Sequence, residues 1–435
     1  MPEHQEEVFN AGGLPPLVAL LKTGSAKVQE EAASALAAMD ANVSHQQEAI
    51  KCGVIPALTV LLKNGSVVAQ ASAAQATANA AAYSHAAQRT IAQGGAIPLL
   101  LALLGVGKAQ KPAASALAKL AHENKEIQME IERAGGIAAL LPLLNGLDVD
   151  VQVQAACALE EIARDNEETQ NAIAKTGGIG PLLALLASRS GQAQSHGMAA
   201  LAQLARHNRD NQDAISRMGG IKPLVQHLEA QSEDPDVLSS AACAIMEVTG
   251  LNPPNQKAVV DNGGVSQLAN LMKNSRSEVV LAEVAGALWS LAADPGISTT
   301  IAEASTILPL VHLLGGGNAR AHMHASHALA SLGLNNRANQ VQITQMLIDL
   351  LTHGQQEAQE RATEALWDLV NLNPKAHEVI AKAGSPAALV ELLKAGIPSA
   401  KDYALWSLSL SIDAESQAVV HECGGVQPLI DQLGD

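Results

Sequence analysis

One motif recurs along this chain with a period close to 42 residues. In the copy at residues 171–186, "NAIAKTGGIGPLLALL", a short amphipathic segment, two glycines and a leucine-rich run follow one another. The last apolar residue of each copy is Leu21, Leu62, Leu104, Leu144, Leu186, Leu228, Met272, Leu314, Leu351, Leu393 or Leu433. Neighbouring positions in this series are 37 to 44 residues apart. Such a period predicts a helical solenoid, because each unit then buries its apolar face against its neighbours.

Each copy predicts three helices. In the copy after residue 165, "NEETQNAIAK" predicts a short first helix. Gly177 and Gly178 end it, because glycine adopts the left-handed conformation without steric cost. The segment "IGPLLALLAS" predicts a second helix, with Pro181 in its first turn, where a missing N–H is tolerated. A polar turn then leads to "AQSHGMAALAQLAR", the predicted third helix, whose small and apolar residues recur on one face.

Composition and charge restrict the possible partners. Apolar residues make up 48% of the chain and aromatic residues 1%, so the core is built from Ala, Leu, Ile and Val. A net charge of -16 argues against nucleic acid or an anionic membrane surface as the main partner. The four cysteines lie singly in different copies, too far apart to pair, as expected in a reducing compartment. Without a targeting segment or an apolar run of about 18 residues, we expect a cytoplasmic protein, with the nucleus as the alternative.

Ten or eleven copies of "AGGIxxLLxLL", each between an "NQxAI" helix and a "VQxxAAxAL" helix, resemble the armadillo repeat. The resemblance covers essentially all 435 residues. It implies an all-α fold, a right-handed α-solenoid of about ten three-helix armadillo repeats. HEAT repeats, the competing family, usually pair two helices and lack the glycine pair. We therefore expect a single solenoid over 1–435, with units ending near 40, 81, 123, 165, 207, 251, 294, 335, 372 and 413 and a partial last repeat at 414–435.

The resemblance also implies a function. Armadillo proteins are eukaryotic-type scaffolds, nuclear import adaptors and signalling hubs that bind extended peptides along a concave groove lined by the third helices. In the import adaptors, each third helix carries Trp at one groove position and Asn four residues later. Here only Trp406 matches the Trp position and only Asn79 the Asn position. This departure argues against a classical import-signal receptor.

Acidic residues dominate the predicted groove. Eight carboxylates stand against two lysines near these positions: Glu30, Glu160, Glu161, Glu247, Glu360, Glu364, Asp368 and Asp402 against Lys111 and Lys119. Such a surface would attract basic segments, although the solvated face of an acidic protein has the same composition. Trp289, Trp367 and Trp406, with Tyr403, either anchor a partner or pack between neighbouring third helices.

The sequence thus predicts a non-catalytic protein–protein interaction scaffold or adaptor for an extended segment, basic or amphipathic. Its predicted partner-binding surface comprises Asn79, Glu161, Gln203, Glu247, Trp289, His327, Glu364, Trp367, Asp368 and Trp406. The alternatives are a structural spacer within a larger complex that uses convex or edge surfaces, an import-adaptor-like carrier, and the armadillo part of a longer multidomain chain.

No motif predicts an enzyme, a cofactor or a metal. The chain lacks a phosphate loop and a "GxSxG" nucleophile elbow, and the glycine pairs precede leucine-rich helices without Lys-Ser/Thr. His322, His324 and His327 share one helix, but no carboxylate or Cys is placed by sequence to complete a tetrahedral site. We therefore expect no catalytic residues, no metal ligands and no cofactor.

Overall fold

A computed structural model describes residues 11–38, 48–82, 84–229, 234–316, 318–373, 379, 382–383, 386–395, 397–410 and 414–433. These residues form α-helices and two short 3-10 helices, Gly107–Ala109 and Leu141–Asn145, and include no strand. The all-α prediction is therefore confirmed. The unit ends predicted near 40 and 413, and the N-terminal segment searched for a targeting sequence, lie outside the described residues.

The chain divides into two compact units, Met1–Met218 and Gly219–Asp435. In the first unit the helices are α1 (Leu14–Thr23), α2 (Ala26–Ala38), α3 (Val54–Asn64), α4 (Val67–Ala81), α5 (His85–Gln93), α6 (Ala96–Leu103), α7 (Gln110–Ala121), α8 (Lys125–Arg133), α9 (Gly136–Leu140), α10 (Val149–Ala163), α11 (Glu167–Lys175), α12 (Ile179–Leu185), α13 (Gly191–Ala205) and α14 (Arg209–Arg217). In the second they are α15 (Ile221–Gln226), α16 (Pro235–Thr249), α17 (Pro253–Asp261), α18 (Gly264–Asn274), α19 (Glu278–Ala292), α20 (Pro295–Glu303), α21 (Ile307–Gly315), α22 (Ala319–Leu332), α23 (Arg337–His353), α24 (Gln356–Leu372), α25 (Pro386–Ala395), α26 (Pro398–Leu410), α27 (Ala414–Glu422) and α28 (Val426–Leu433).

From α5 to α22 the helices follow the predicted order of first, second and third helix without interruption. The third helices are α2, α4, α7, α10 and α13 in the first unit and α16, α19, α22, α24 and α26 in the second. The copy around Val341 differs from the others, since α23 runs unbroken where other copies have two helices. It lacks the glycine pair that would end a first helix. The number of repeats and their arrangement as one solenoid stay predictions.

The two glycines of the motif are needed for different reasons. Gly177 has φ +86°, in the left-handed region that favours glycine. Gly178 donates its N–H to the carbonyl of Ile173 at 2.9 Å, which closes the end of α11 in a Schellman arrangement. A Cβ on Gly178 would lie 2.6 Å from Cγ2 of Ile173. The first glycine is therefore required by backbone conformation and the second by close packing.

Small side chains bring consecutive third helices together. In the contact between α7 and α10, Ala113, Ala116, Ala155 and Ala158 are all fully buried. Alanine at these positions lets the helix backbones approach closely, which keeps neighbouring third helices in one continuous row within each unit.

No single described helix is long and apolar enough to cross a membrane. Helices α20 and α21, bent by 80°, pass that test of length and composition only as a pair.

A ladder of buried amides runs along the ends of the third helices. Asn166, the N-cap of α11, donates its side-chain N–H to Oε1 of Gln128 at 2.9 Å. Gln128 in turn donates to the backbone carbonyls of Ala121 at 3.1 Å and Glu161 at 2.9 Å. The same arrangement joins Asn124 to Gln88 at 3.0 Å. These bonds satisfy carbonyls at the ends of third helices and fix the register between neighbouring repeats.

Candidate protein-binding surface

All ten residues of the predicted partner-binding surface lie on third helices. In the first unit these are Asn79 on α4, Glu161 on α10 and Gln203 on α13. In the second unit they are Glu247 on α16, Trp289 on α19, His327 on α22, Glu364, Trp367 and Asp368 on α24, and Trp406 on α26. The structure brings some of them into contact across neighbouring helices and gives others partners that the sequence did not indicate.

In the first unit, Glu161 belongs to a network of paired charges. Arg164 Nε donates to Glu161 Oε2 at 2.9 Å, and His122 Nδ1 lies 2.9 Å from the same oxygen. Burial opposes ionisation of Glu161, but Arg164, with His122, outweighs it and holds the pKa of this carboxyl below its usual range. Glu160 is paired similarly, with Arg164 Nη2 at 2.9 Å and His196 Nδ1 at 3.1 Å. The charge of two of the eight carboxylates counted from the sequence is therefore partly offset here.

The two amides of the first unit lie in different surroundings. Asn79 Nδ2 donates to the carbonyl of Ala37 on α2 at 2.9 Å, while its side-chain oxygen accepts from Gln75 at 3.0 Å. Asn79 thus ties two third helices together. Gln203 Oε1 is buried and accepts no hydrogen bond from any residue that the structure describes.

In the second unit, a half-buried Glu247 lies near a second acidic side chain, Glu283 on α19. Arg320 on α22 donates to Glu283 Oε2 at 2.9 Å. Burial raises the pKa of Glu283 above its usual range, and the charge of Glu247 adds to this, against the opposing effect of Arg320. Arg320 therefore partly offsets the acidic charge at the junction of these helices.

Trp289 packs against the next third helix. Its ring lies 4.7 Å from that of His327 and 6.0 Å from that of His324, measured between centroids. His324 is buried and donates from Nδ1 to the carbonyl of Ala282 at 2.8 Å. Burial lowers the pKa of His324, which keeps the ring neutral. His327 Nδ1 is buried with no hydrogen-bond partner among the described residues.

The last aromatic cluster joins α24 and α26. The rings of Trp367 and Trp406 lie 5.5 Å apart, and Tyr403 lies 5.8 Å from Trp367 in an edge-on arrangement. Tyr403 is fully buried, whereas both tryptophans stay partly exposed. Trp367 and Trp406 therefore pack between third helices, which is one of the two interpretations of the sequence. Part of each indole still faces solvent, as the other interpretation, anchoring of a partner, requires.

Exposed carboxylates precede both tryptophans on their helices. Glu360 and Glu364 lie two turns and one turn before Trp367 on α24, and Asp402 lies one turn before Trp406 on α26. All three are exposed. Asp368 differs, because its carboxylate accepts from Ser326 Oγ on α22 at 2.5 Å.

Several partners on this surface were absent from the sequence prediction. Arg164 follows Glu160 and Glu161 at helical spacing, a signal that the sequence does carry. His122 and His196 lie 39 and 36 residues from their carboxylate partners, so finding them requires the register between neighbouring third helices.

Comparisons with known proteins agree with this architecture. The family model for the Armadillo/beta-catenin-like repeat matches residues 1–37, 124–164, 208–245 and 252–293. The chain is also similar to an engineered protein whose crystal structure was solved by the Northeast Structural Genomics Consortium. The two are 31% identical over 91% of this chain and 98% of that one, with a TM-score of 0.73. This chain belongs to the armadillo-repeat family.

Other solved armadillo-like structures match about half of the chain. A second engineered protein from the same consortium is 32% identical, with a TM-score of 0.52, over 54% of this chain and 96% of that one. A designed armadillo repeat protein is 25% identical, with a TM-score of 0.50, over 54% of this chain and 99% of that one. No curated protein matches the chain. The armadillo fold is typically that of a non-enzymatic, protein-binding scaffold.

Proposed function

We propose that this armadillo-repeat chain is a non-catalytic scaffold that binds a basic segment of a partner protein across third helices α24 and α26. One observation carries the proposal. Trp367 and Trp406, with rings 5.5 Å apart, are partly exposed, and the exposed carboxylates of Glu360, Glu364 and Asp402 lie one or two turns before them on the same helices. This combination of aromatic faces and carboxylates suits Lys and Arg side chains.

The chemistry of the cluster supports a cationic ligand. Indole rings present a negative face, so an Arg or Lys over Trp367 or Trp406 gains a cation–π interaction in addition to buried area. The neighbouring carboxylates can accept charge-assisted hydrogen bonds from the same cation. The net charge of -16 would steer basic segments towards the protein at low salt. Tyr403, buried beneath the two indoles, holds their positions.

The paired charges of the first unit favour the second unit as the binding region. Glu160 and Glu161 are already bound by Arg164, and Lys119 is exposed on the preceding third helix. A basic segment would have to displace these partners before it could bind. In contrast, Glu364 is exposed on α24.

The first test is charge reversal at one exposed position. We would titrate the protein with a fluorescent oligo-arginine peptide and with an oligo-glutamate peptide of the same length. The proposal predicts that Glu364→Lys weakens oligo-arginine binding about tenfold, which corresponds to about 1.4 kcal/mol. Binding of the wild type should also fall as salt rises, because exposed charges are screened.

A matched control separates local recognition from net charge. Asp261 is exposed on α17, a first helix, and Asp261→Lys makes the same charge change away from the cluster. We expect this variant to bind nearly as the wild type does. Equal losses in Glu364→Lys and Asp261→Lys would show that attraction depends on net charge alone and would overturn the proposed site. The structural-spacer alternative, which uses other surfaces, would then be preferred.

A further inference from the structure

A thiol, a carboxylate and an imidazole meet between α10 and α13 of the first unit. Cys157 and Glu160 lie one turn apart on α10, and His196 lies opposite them on α13. The Cys157 sulfur, a Glu160 carboxylate oxygen and a His196 ring nitrogen all lie within 4.8 Å of one another. Glu160 Oε2 and His196 Nδ1 lie 3.1 Å apart. All three residues are partly buried.

We propose that Cys157, Glu160 and His196 together bind one Zn²⁺ ion. Zinc binds Cys sulfur, His nitrogen and carboxylate oxygen at roughly 2.0–2.3 Å, so its tetrahedral donors lie roughly 3.3–3.8 Å apart. The three donors, all within 4.8 Å of one another, lie close to this spacing. A thiolate and an imidazole select zinc over magnesium or calcium, which prefer all-oxygen sites. Three protein ligands leave a fourth position for water.

The two oxygens of Glu160 have separate contacts. Arg164 Nη2 donates to Oε1 at 2.9 Å, which orients the carboxylate, while Oε2 points to His196. An outer partner of this kind is typical of metal-binding carboxylates. The positive charge of Arg164 is in turn bound by Glu161, whose Oε1 accepts from Nη2 at 3.0 Å. Arg164 can therefore orient Glu160 while its charge is offset.

The electrostatic surroundings of Cys157 suit a cation. Burial, followed by the charges of Glu160 and Glu161, raises the pKa of the Cys157 thiol to about 12, against the weaker opposing effects of Lys119 and Arg164. A divalent ion in contact with the sulfur would reverse this, because the metal replaces the thiol proton. The charges of Glu160 and Glu161, which add to burial in disfavouring a free thiolate, would attract a bound cation.

Cys243 provides a natural control within the same protein. It is the ninth residue of α16, as Cys157 is the ninth residue of α10. Met246 stands three residues after it, where Glu160 follows Cys157. On the next third helix, Glu283 takes the place of His196. Cys243 thus shares the helix position and has the Glu283 carboxylate as a hydrogen-bond partner, but it lacks the imidazole of the three-donor group.

The most direct test uses the unmodified chain. Metal-free protein would be alkylated at its four cysteines with and without Zn²⁺, and the rate at each cysteine read by mass spectrometry. The proposal predicts that Zn²⁺ slows alkylation of Cys157 at least about tenfold, because the metal-bound thiolate is sequestered, and leaves Cys243 nearly unchanged. Equal rates at Cys157 with and without the ion would overturn it.

Cobalt substitution tests the same ligands with variants. The wild type and Cys243→Ser should bind one Co²⁺ with a thiolate-to-cobalt charge-transfer band, and Cys157→Ser should lose that band. His196→Gln should weaken Zn²⁺ binding at least about tenfold, by competition against a chromophoric chelator. His196 is partly exposed, so this variant is expected to fold. Unchanged Zn²⁺ affinity in both Cys157→Ser and His196→Gln would contradict the assignment.

Discussion

Gln128 Nε2 donates a hydrogen bond to the backbone carbonyl of Glu161, 33 residues further along the chain, at 2.9 Å. The same nitrogen lies 3.3 Å from the carbonyl of Arg164. One buried amide therefore holds the end of α10, from which Glu161 and Arg164 project. The ladder of amides thus links the packing of neighbouring repeats to the positions of side chains on the third helices.

Removing this amide should destabilise the first unit. Gln128→Ala removes the side-chain donor from the carbonyls of Ala121 and Glu161 and the acceptor of Asn166 Nδ2, and leaving a buried polar group unsatisfied costs about 1–3 kcal/mol. We expect the free energy of unfolding to fall by about 2–4 kcal/mol, measured by urea denaturation followed by circular dichroism. The control is Gln192→Ala, at an exposed position on α13, with an expected change within about 0.5 kcal/mol. Similar losses of unfolding free energy in both variants would contradict a specific stabilising role of the amide ladder.

Replacing the second glycine of the pair should also lower the free energy of unfolding. Gly178→Ala places a Cβ 2.6 Å from Ile173 Cγ2, so the end of α11 must shift. We expect a loss of about 1–3 kcal/mol in the free energy of unfolding, as is typical of overpacked sites. Gly107→Ala is the matched control, because its Cβ would meet open space. If thermal unfolding of the two variants shifted equally, close packing at Gly178 would not explain the motif.

The pairing of Glu161 predicts a pH dependence. Because its pKa is lowered in the folded protein, the stability it contributes is present above the unfolded pKa of about 4.3 and is lost as pH falls through the folded pKa. Glu161→Gln should therefore be less stable than the wild type near neutral pH and should show a shallower loss of stability below about pH 5. Urea midpoints measured across this range test the expectation. Glu130→Gln, at an exposed position on α8, should instead keep the wild-type profile.

Sequence alone predicted the fold because its signals are local. The period near 42 residues, the glycine pairs and the spacing of apolar residues each identify helices and their ends within a few turns. The same reasoning did not anticipate the long helix α23. Without a glycine pair, nothing in that copy forces a break, so one helix continues through His353.

The surface was less predictable because its contacts join residues from different repeats. The sequence predicted that the tryptophans either anchor a partner or pack between third helices, and the structure brings the rings of Trp367 and Trp406 within 5.5 Å. It could not give His196 as a partner of Glu160, since His196 contacts this carboxylate only through the packing of α10 against α13. The three-donor group with Cys157 escaped the sequence analysis for the same reason. Helical spacing finds partners on one helix, whereas contacts between helices depend on their register.

A tryptophan oxidation footprint with and without the oligo-arginine peptide would test directly whether basic segments bind on α24 and α26. The chain has three tryptophans, so each oxidised residue can be assigned by mass spectrometry. We predict that the peptide protects Trp367 and Trp406 from oxidation and that Glu364→Lys abolishes this protection. Unchanged oxidation of both residues at saturating peptide would contradict a binding surface on α24 and α26.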